Sequence, residues 1–147
     1  MTFGSASPDL LIGAHNAVDV CLAIRPGERV ALIADQASSD VAASLEQALT
    51  EREARAQCLL IESVSARPMP QAPAAVLDAL ERADAGILCV QPQEGELAAR
   101  MGIVAVVERR RIRYAHMIDV SISSAWLPAG CCRTPRDALS SAASIEV

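Results

Sequence analysis

Along residues 9–24 the apolar positions Leu11, Ile12, Val18, Cys21 and Leu22 recur at helical spacing, with Ser7 or Asp9 as a capping side chain and Pro8 in the first turn. Pro26-Gly27 ends that helix, and residues 30–34 form a short unbroken apolar run of the kind found in strands covered on both faces. Ser38, Ser39 and Asp40 then offer caps for a second helix through Val41, Leu45, Ala48 and Leu49, with Glu51 and Arg55 expected to pair at i, i+4. A second strand is predicted at residues 58–61. Residues 65–73 contain three prolines and must be a loop.

Val76, Leu77, Leu80 and Ala83 make a third helix, closed by Asp84-Ala-Gly86, and residues 87–90 make a third strand whose exit loop is residues 91–95. From Glu96 to about Arg110 the pattern reads as a fourth helix, although Gly102 and the β-branched Ile103, Val104, Val106 and Val107 leave open a strand for its second half. Residues 113–120 read as a fourth strand or extended segment, and residues 135–143 as a last short helix. Strands separated by helices pair in parallel through right-handed crossovers. The expected fold is therefore α/β, a three-layer doubly wound, Rossmann-like and mostly parallel sheet of about four to five strands. Residues 1–8 are expected as a tail and residues 9–147 as one domain.

Composition narrows the chemistry. With 52% hydrophobic residues and only 2% aromatic, the core must be built from Ala, Val, Ile and Leu, and stacking platforms are scarce. A net charge of -5 and the shortage of aromatics argue against nucleic acid as a partner. All 13 basic residues are Arg, which excludes Schiff-base lysines and the lysine of a P-loop. No apolar run has the length of a membrane span, and the first residues lack the basic start and apolar centre of a signal peptide. Five cysteines, three of them in apolar runs as buried thiols, give no disulfide framework. A cytoplasmic protein is expected.

Ligands of doubly wound sheets bind at the strand carboxyl ends. Here that points to Asp35, Gln36, Ser38 and Ser39 after the first strand and to Gln91, Gln93 and Glu94 after the third. The first group lacks the glycines needed to approach a pyrophosphate, so plain helix capping competes with anion binding there. His116, near Asp119, and Cys89 at a strand end are the candidates for an enzyme, but neither has the neighbours of a metal site or an activated nucleophile. Cys131-Cys132 lacks the spacing of a redox or zinc pair. No catalytic residue, metal ligand or cofactor is assigned.

The order of these parts resembles a known family. Ile24-Arg-Pro-Gly-Glu-Arg-Val-Ala-Leu-Ile33, then Pro73-Ala-Ala-Val-Leu-Asp-Ala-Leu-Glu-Arg-Ala-Asp84 leading into the third strand, and later Arg109-Arg110, Arg113 and Ala115-His-Met117 look like the N-terminal domain of leucyl aminopeptidases of the aminopeptidase T type. Ring-opening dihydroxypyridine dioxygenases share that architecture. The likeness spans about residues 17–119 and continues through residues 137–147. In that family a divalent metal pair is held by Glu, His and Asp of a C-terminal domain, and no such ligand can be carried onto this chain. The resemblance implies a domain without peptidase chemistry of its own, standing alone or belonging to a longer protein. It implies a docking role in which Arg109, Arg110, Arg113 and His116 face a partner domain or another copy in a homo-oligomer. The competing expectation is a free-standing small-molecule-binding protein that uses the strand-end loops.

Overall fold

The computed structural model describes residues 3–118. Its elements are α1 (Pro8–His15), a π-helical segment (Asn16–Cys21), β1 (Arg29–Ala34), a 3-10 turn (Gln36–Ser38), α2 (Ser39–Glu51), β2 (Arg55–Leu60), α3 (Ile61–Val64), α4 (Ala74–Arg82), β3 (Ala85–Val90), α5 (Leu97–Arg110) and β4 (Arg113–Ile118). The short final helix expected at residues 135–143 lies outside the described residues.

All pairings are parallel, in the order β2-β1-β3-β4. This is the expected α/β, Rossmann-like sheet, with four strands among the described residues. Its two central strands explain the unbroken apolar runs: residues 85–90 are buried throughout and β1 is buried from Val30 onward. The pleat splits their side chains between two cores. Val30, Leu32, Ala34, Ile87 and Cys89 pack with α1, the π-helical segment and α2 on one face. Ala31, Ile33, Leu88 and Val90 pack with α4 and α5 on the other.

Four local expectations are corrected. The first helix is not uniform, because its second half widens into a π-helix before Leu22. Residue 61 opens α3 rather than ending β2, which instead begins three residues early at Arg55. Arg55 is therefore in the sheet and cannot pair with Glu51 along a helix; Glu51 instead meets His15 Nε2 at 3.1 Å and accepts from Gln47 Nε2 at 2.8 Å. Cys21 is disulfide-bonded, while Cys58 and Cys89 are free.

The ambiguity at residues 102–107 resolves to helix. Ile103, Val106 and Val107 are buried against the sheet, so tertiary packing overrides the strand preference of β-branched side chains. Among the described residues no helix is long and apolar enough to cross a membrane.

Candidate functional site

β1 sends the chain through α2 to β2 on one side, whereas its other neighbour β3 continues through α5 to β4. The gap between β1 and β3 is the topological switch point, where parallel sheets open a crevice at the strand carboxyl ends. The residues that leave those two strands are Asp35 and Gln91, as expected from the sequence.

They are already joined to each other. Gln91 N donates to Asp35 Oδ2 at 2.7 Å, and Ser38 N donates to Asp35 Oδ1 at 2.9 Å, which makes Asp35 the cap of the turn that leads into α2. Asp35 is fully buried. A carboxylate in that position needs a cation or several donors, since an unpaired buried charge costs several kcal/mol.

The cation is Arg67, from the proline-rich loop. Its Nη1 donates to Asp35 Oδ2 at 2.6 Å, and its Nη2 donates to the Gln91 carbonyl at 2.7 Å. The opposite edge of the guanidinium grips Glu96 with two parallel bonds, Nε to Oε1 at 2.9 Å and Nη2 to Oε2 at 2.7 Å. Glu96 Oε1 also accepts from Met69 N at 3.0 Å. Glu62, at the rim, lies 3.7 Å from Arg67 Nη1 and accepts from Gln36 N at 3.1 Å.

The side chains of Arg67, Asp35 and Glu96 are only 7%, 0% and 1% exposed. The bond from Arg67 holds the Glu96 carboxyl below the usual carboxylate range, against the opposing effect of burial. The same two carboxylates raise the Arg67 pKa further, so the guanidinium stays charged. The result is a closed knot of one cation and two anions at the switch point, with its lone pairs and protons turned toward one another. It is built to bind the loop to the sheet, and its atoms are spent on that contact.

Of the other sequence-predicted ligand residues, Gln91 and Ser38 join the knot through their backbone and Gln36 N reaches Glu62 at its rim, whereas among the described residues no bond ties the Ser39, Gln93 or Glu94 side chains to it. Gln36, Gln93 and Glu94 are exposed, Ser38 is buried by its turn, and Ser39 and Gln91 are half-buried. Arg67 and Glu96 were not among the predicted site residues. The signals present were an arginine wedged between a strand exit and Pro68, and an acid directly ahead of a helix.

Of the predicted docking residues, the three arginines are engaged within the chain. Arg109 and Arg110 both meet Glu81 of α4. Arg113 Nη1 donates to the Leu22 and Ala23 carbonyls at 2.9 Å each, and its Nη2 reaches Glu28 Oε1 at 2.5 Å. That brace holds the turn in which Ala23 takes a φ of 46°, a region that costs a residue with a Cβ about 1–2 kcal/mol. Arg113 also pulls the Glu28 carboxyl below its ordinary pKa. His116 on β4 lies on an exposed position, and desolvation by its neighbours, then the Arg100 charge, lowers its pKa. Among the described residues, no group of His, Cys, Asp and Glu gathers as a metal site.

No family model and no curated protein matches this chain. Among solved structures it is similar to wild-type AmpT from Thermus thermophilus, with 14% identity and a TM-score of 0.52. The match covers 77% of this chain and 36% of that one. At that identity the likeness concerns the fold. The chain spans little more than a third of the length of the structure it matches.

Proposed function

We propose that this chain is a non-catalytic scaffold domain of the kind that begins aminopeptidases of the aminopeptidase T type, and that it acts by docking to another protein surface. The observation that carries the reading is the sealed switch point. The crevice where a Rossmann-like enzyme would hold its ligand is filled by Arg67, whose charge is answered by Asp35 and Glu96 inside the chain. The shared fold of AmpT agrees with the resemblance read from the sequence.

Docking draws its support from α5. Leu97 and Met101 lie one helical turn apart and are 65% and 60% exposed, although the helix already buries Ala99, Ile103, Val106 and Val107 on its inner side. A helix that is apolar on both faces is characteristically covered on both. A second copy of this chain is the partner we put to the test, because self-complementary pairing about a two-fold axis is the commonest way to cover such a ridge. The competing small-molecule reading at Asp35, Gln36, Ser38, Ser39, Gln91, Gln93 and Glu94 has less in its favour, since Asp35 has both oxygens engaged.

Two measurements test the proposal. Leucyl p-nitroanilide should not be hydrolysed by the purified chain with or without cobalt or zinc; metal-dependent turnover would overturn the non-catalytic reading. Light scattering on a sizing column should find a dimer or larger assembly that Leu97→Ser with Met101→Ser returns to monomer. A wild-type chain that stays monomeric at high concentration would overturn self-docking.

A further inference from the structure

A second concave site lies at the opposite end of the sheet, at the amino ends of β1 and β2. The strand pleat brings Arg29, Ala31, Arg55 and Gln57 to the face that α4 covers, with Arg29 opposite Arg55 and Ala31 opposite Gln57 in register. The last turn of α4 contributes Ala79, Arg82 and Ala83. Because alanines stand where larger side chains would fill the seam between helix and edge strand, a cleft of about 220 Å3 remains.

The charge of this cleft runs against that of the protein. The chain has a net charge of -5, yet three arginines and no acidic residue line the cleft. Arg29 is answered from outside it by Asp84, which accepts from the Arg29 backbone N at 2.9 Å and from its Nε and Nη2 at 3.4 Å each. Asp84 is held below its ordinary pKa by those bonds. Arg55 and Arg82 form no ion pair among the described residues. Like charges converging on one concavity repel, and the arrangement is relieved when an anion enters. Arg82 also ends α4, whose carbonyl end attracts it, so an anion here is held by guanidinium groups and not by a helix dipole.

We propose that this cleft binds a small organic dianion, with Arg55 and Arg82 as its two charge partners and the alanine floor against its apolar body. The two unanswered guanidinium groups fix the charge of the ligand. Guanidinium forks match phosphate and carboxylate geometry alike. The shared chemistry is therefore a phosphate monoester or a dicarboxylate. The volume is below the roughly 300–1,000 Å3 of drug-sized ligand pockets, which restricts the occupant to a small metabolite. The site is independent of the docking reading, since it lies at the other end of the sheet from the sealed switch point.

Titration calorimetry on the full chain at low ionic strength tests it with phenyl phosphate, succinate and inorganic phosphate. Phenyl phosphate or succinate should bind, and more tightly than inorganic phosphate; whichever binds better identifies the acid. Arg55→Gln and Arg82→Gln, both at exposed positions, should each weaken binding about tenfold, the loss of one charge-assisted contact. Arg111→Gln, which removes the same charge from an exposed position at the end of α5, should leave affinity within about twofold. Failure of all three probes to bind overturns the proposal. So does an equal loss in Arg111→Gln, which would reduce the effect to net charge, or equal affinity for inorganic and phenyl phosphate, which would deny the apolar floor a role.

Discussion

Arg67 Nη1 and Asp35 Oδ2 stand 2.6 Å apart with their side chains 7% and 0% exposed, which joins the proline-rich loop to the end of β1 by a buried ion pair. Glu96 completes the knot from the turn ahead of α5. Three segments distant in sequence thus meet at one guanidinium.

Removing that guanidinium should cost far more than the pair itself is worth. Arg67→Met leaves two carboxylates buried without their cation, and an uncompensated partner of a buried pair typically costs about 3–5 kcal/mol. Urea denaturation followed by circular dichroism should register a loss of that size. Neutralising the partners as well, with Asp35→Asn and Glu96→Gln in the same chain, should recover part of it, because the residual penalty is one of charge. A loss below about 0.5 kcal/mol for Arg67→Met, the scale of an ordinary surface substitution, would contradict a buried knot.

The same knot sets an acid limit. The folded pKa of Glu96 is lowered, chiefly by its bond to Arg67, as are those of Glu28 by Arg113 and Asp84 by Arg29. A group whose folded pKa lies below its unfolded value contributes stability above the unfolded pKa and loses it as pH falls through the folded one. With unfolded glutamate about 4.3 and aspartate about 3.9, these carboxylates should make the urea midpoint fall steadily below about pH 5, beneath a first, smaller decline under about pH 6.5, where unfolding lets His116, whose folded pKa is lowered by burial, take up a proton. Glu96→Gln should start lower and fall less steeply. Curves that run parallel for wild type and variant would remove Glu96 from the acid response.

The sheet was legible because its signals are local. Unbroken apolar runs at residues 30–34 and 87–90, separated by helical periods, require strands covered on both faces. The knot was only half legible. Asp35 and Gln91 follow from topology, since any parallel sheet exposes its strand exits together. Arg67 and Glu96 lie 29 residues apart, and no periodicity relates them; only the fold brings them into bonding distance. Arg113 misled for a related reason. A run of arginines reads as a solvated or docking face, whereas this one reaches back 85 residues to Glu28 and to the carbonyls beside a positive-φ alanine.

Gly86 marks a close approach between β3 and the layer above it. A Cβ there would stand 2.7 Å from Leu80 Cδ2 and 3.1 Å from Tyr114 Cδ2. Leu80 is fully buried, so its methyl has little room to withdraw. Gly86→Ala should destabilise by about 1–3 kcal/mol, the usual cost of overpacking. Combining it with Leu80→Ala should give less than the sum of the two losses, since the second change removes the closest obstruction. Strict additivity in chemical denaturation would place the cost elsewhere.

Cys89 lies near the carboxyl end of β3, beside the switch point, but its environment disarms it. Burial pushes the thiol up to about 12, with the nearby Asp35 charge adding to the effect and a bond to Ser38 opposing it. Cys58 on the edge strand β2 is also pushed up to about 12, by burial first and by Glu46 second. Only the thiolate reacts, so at pH 8 about one molecule in ten thousand is competent at either position. Iodoacetamide labelling read by mass spectrometry should therefore be slow in the native protein and fast in urea. Cys58 is only half-buried and should label before Cys89, whose modification should wait on unfolding. Native labelling of Cys89 at the rate of a free thiol would instead revive it as a nucleophile and count against a scaffold without chemistry of its own.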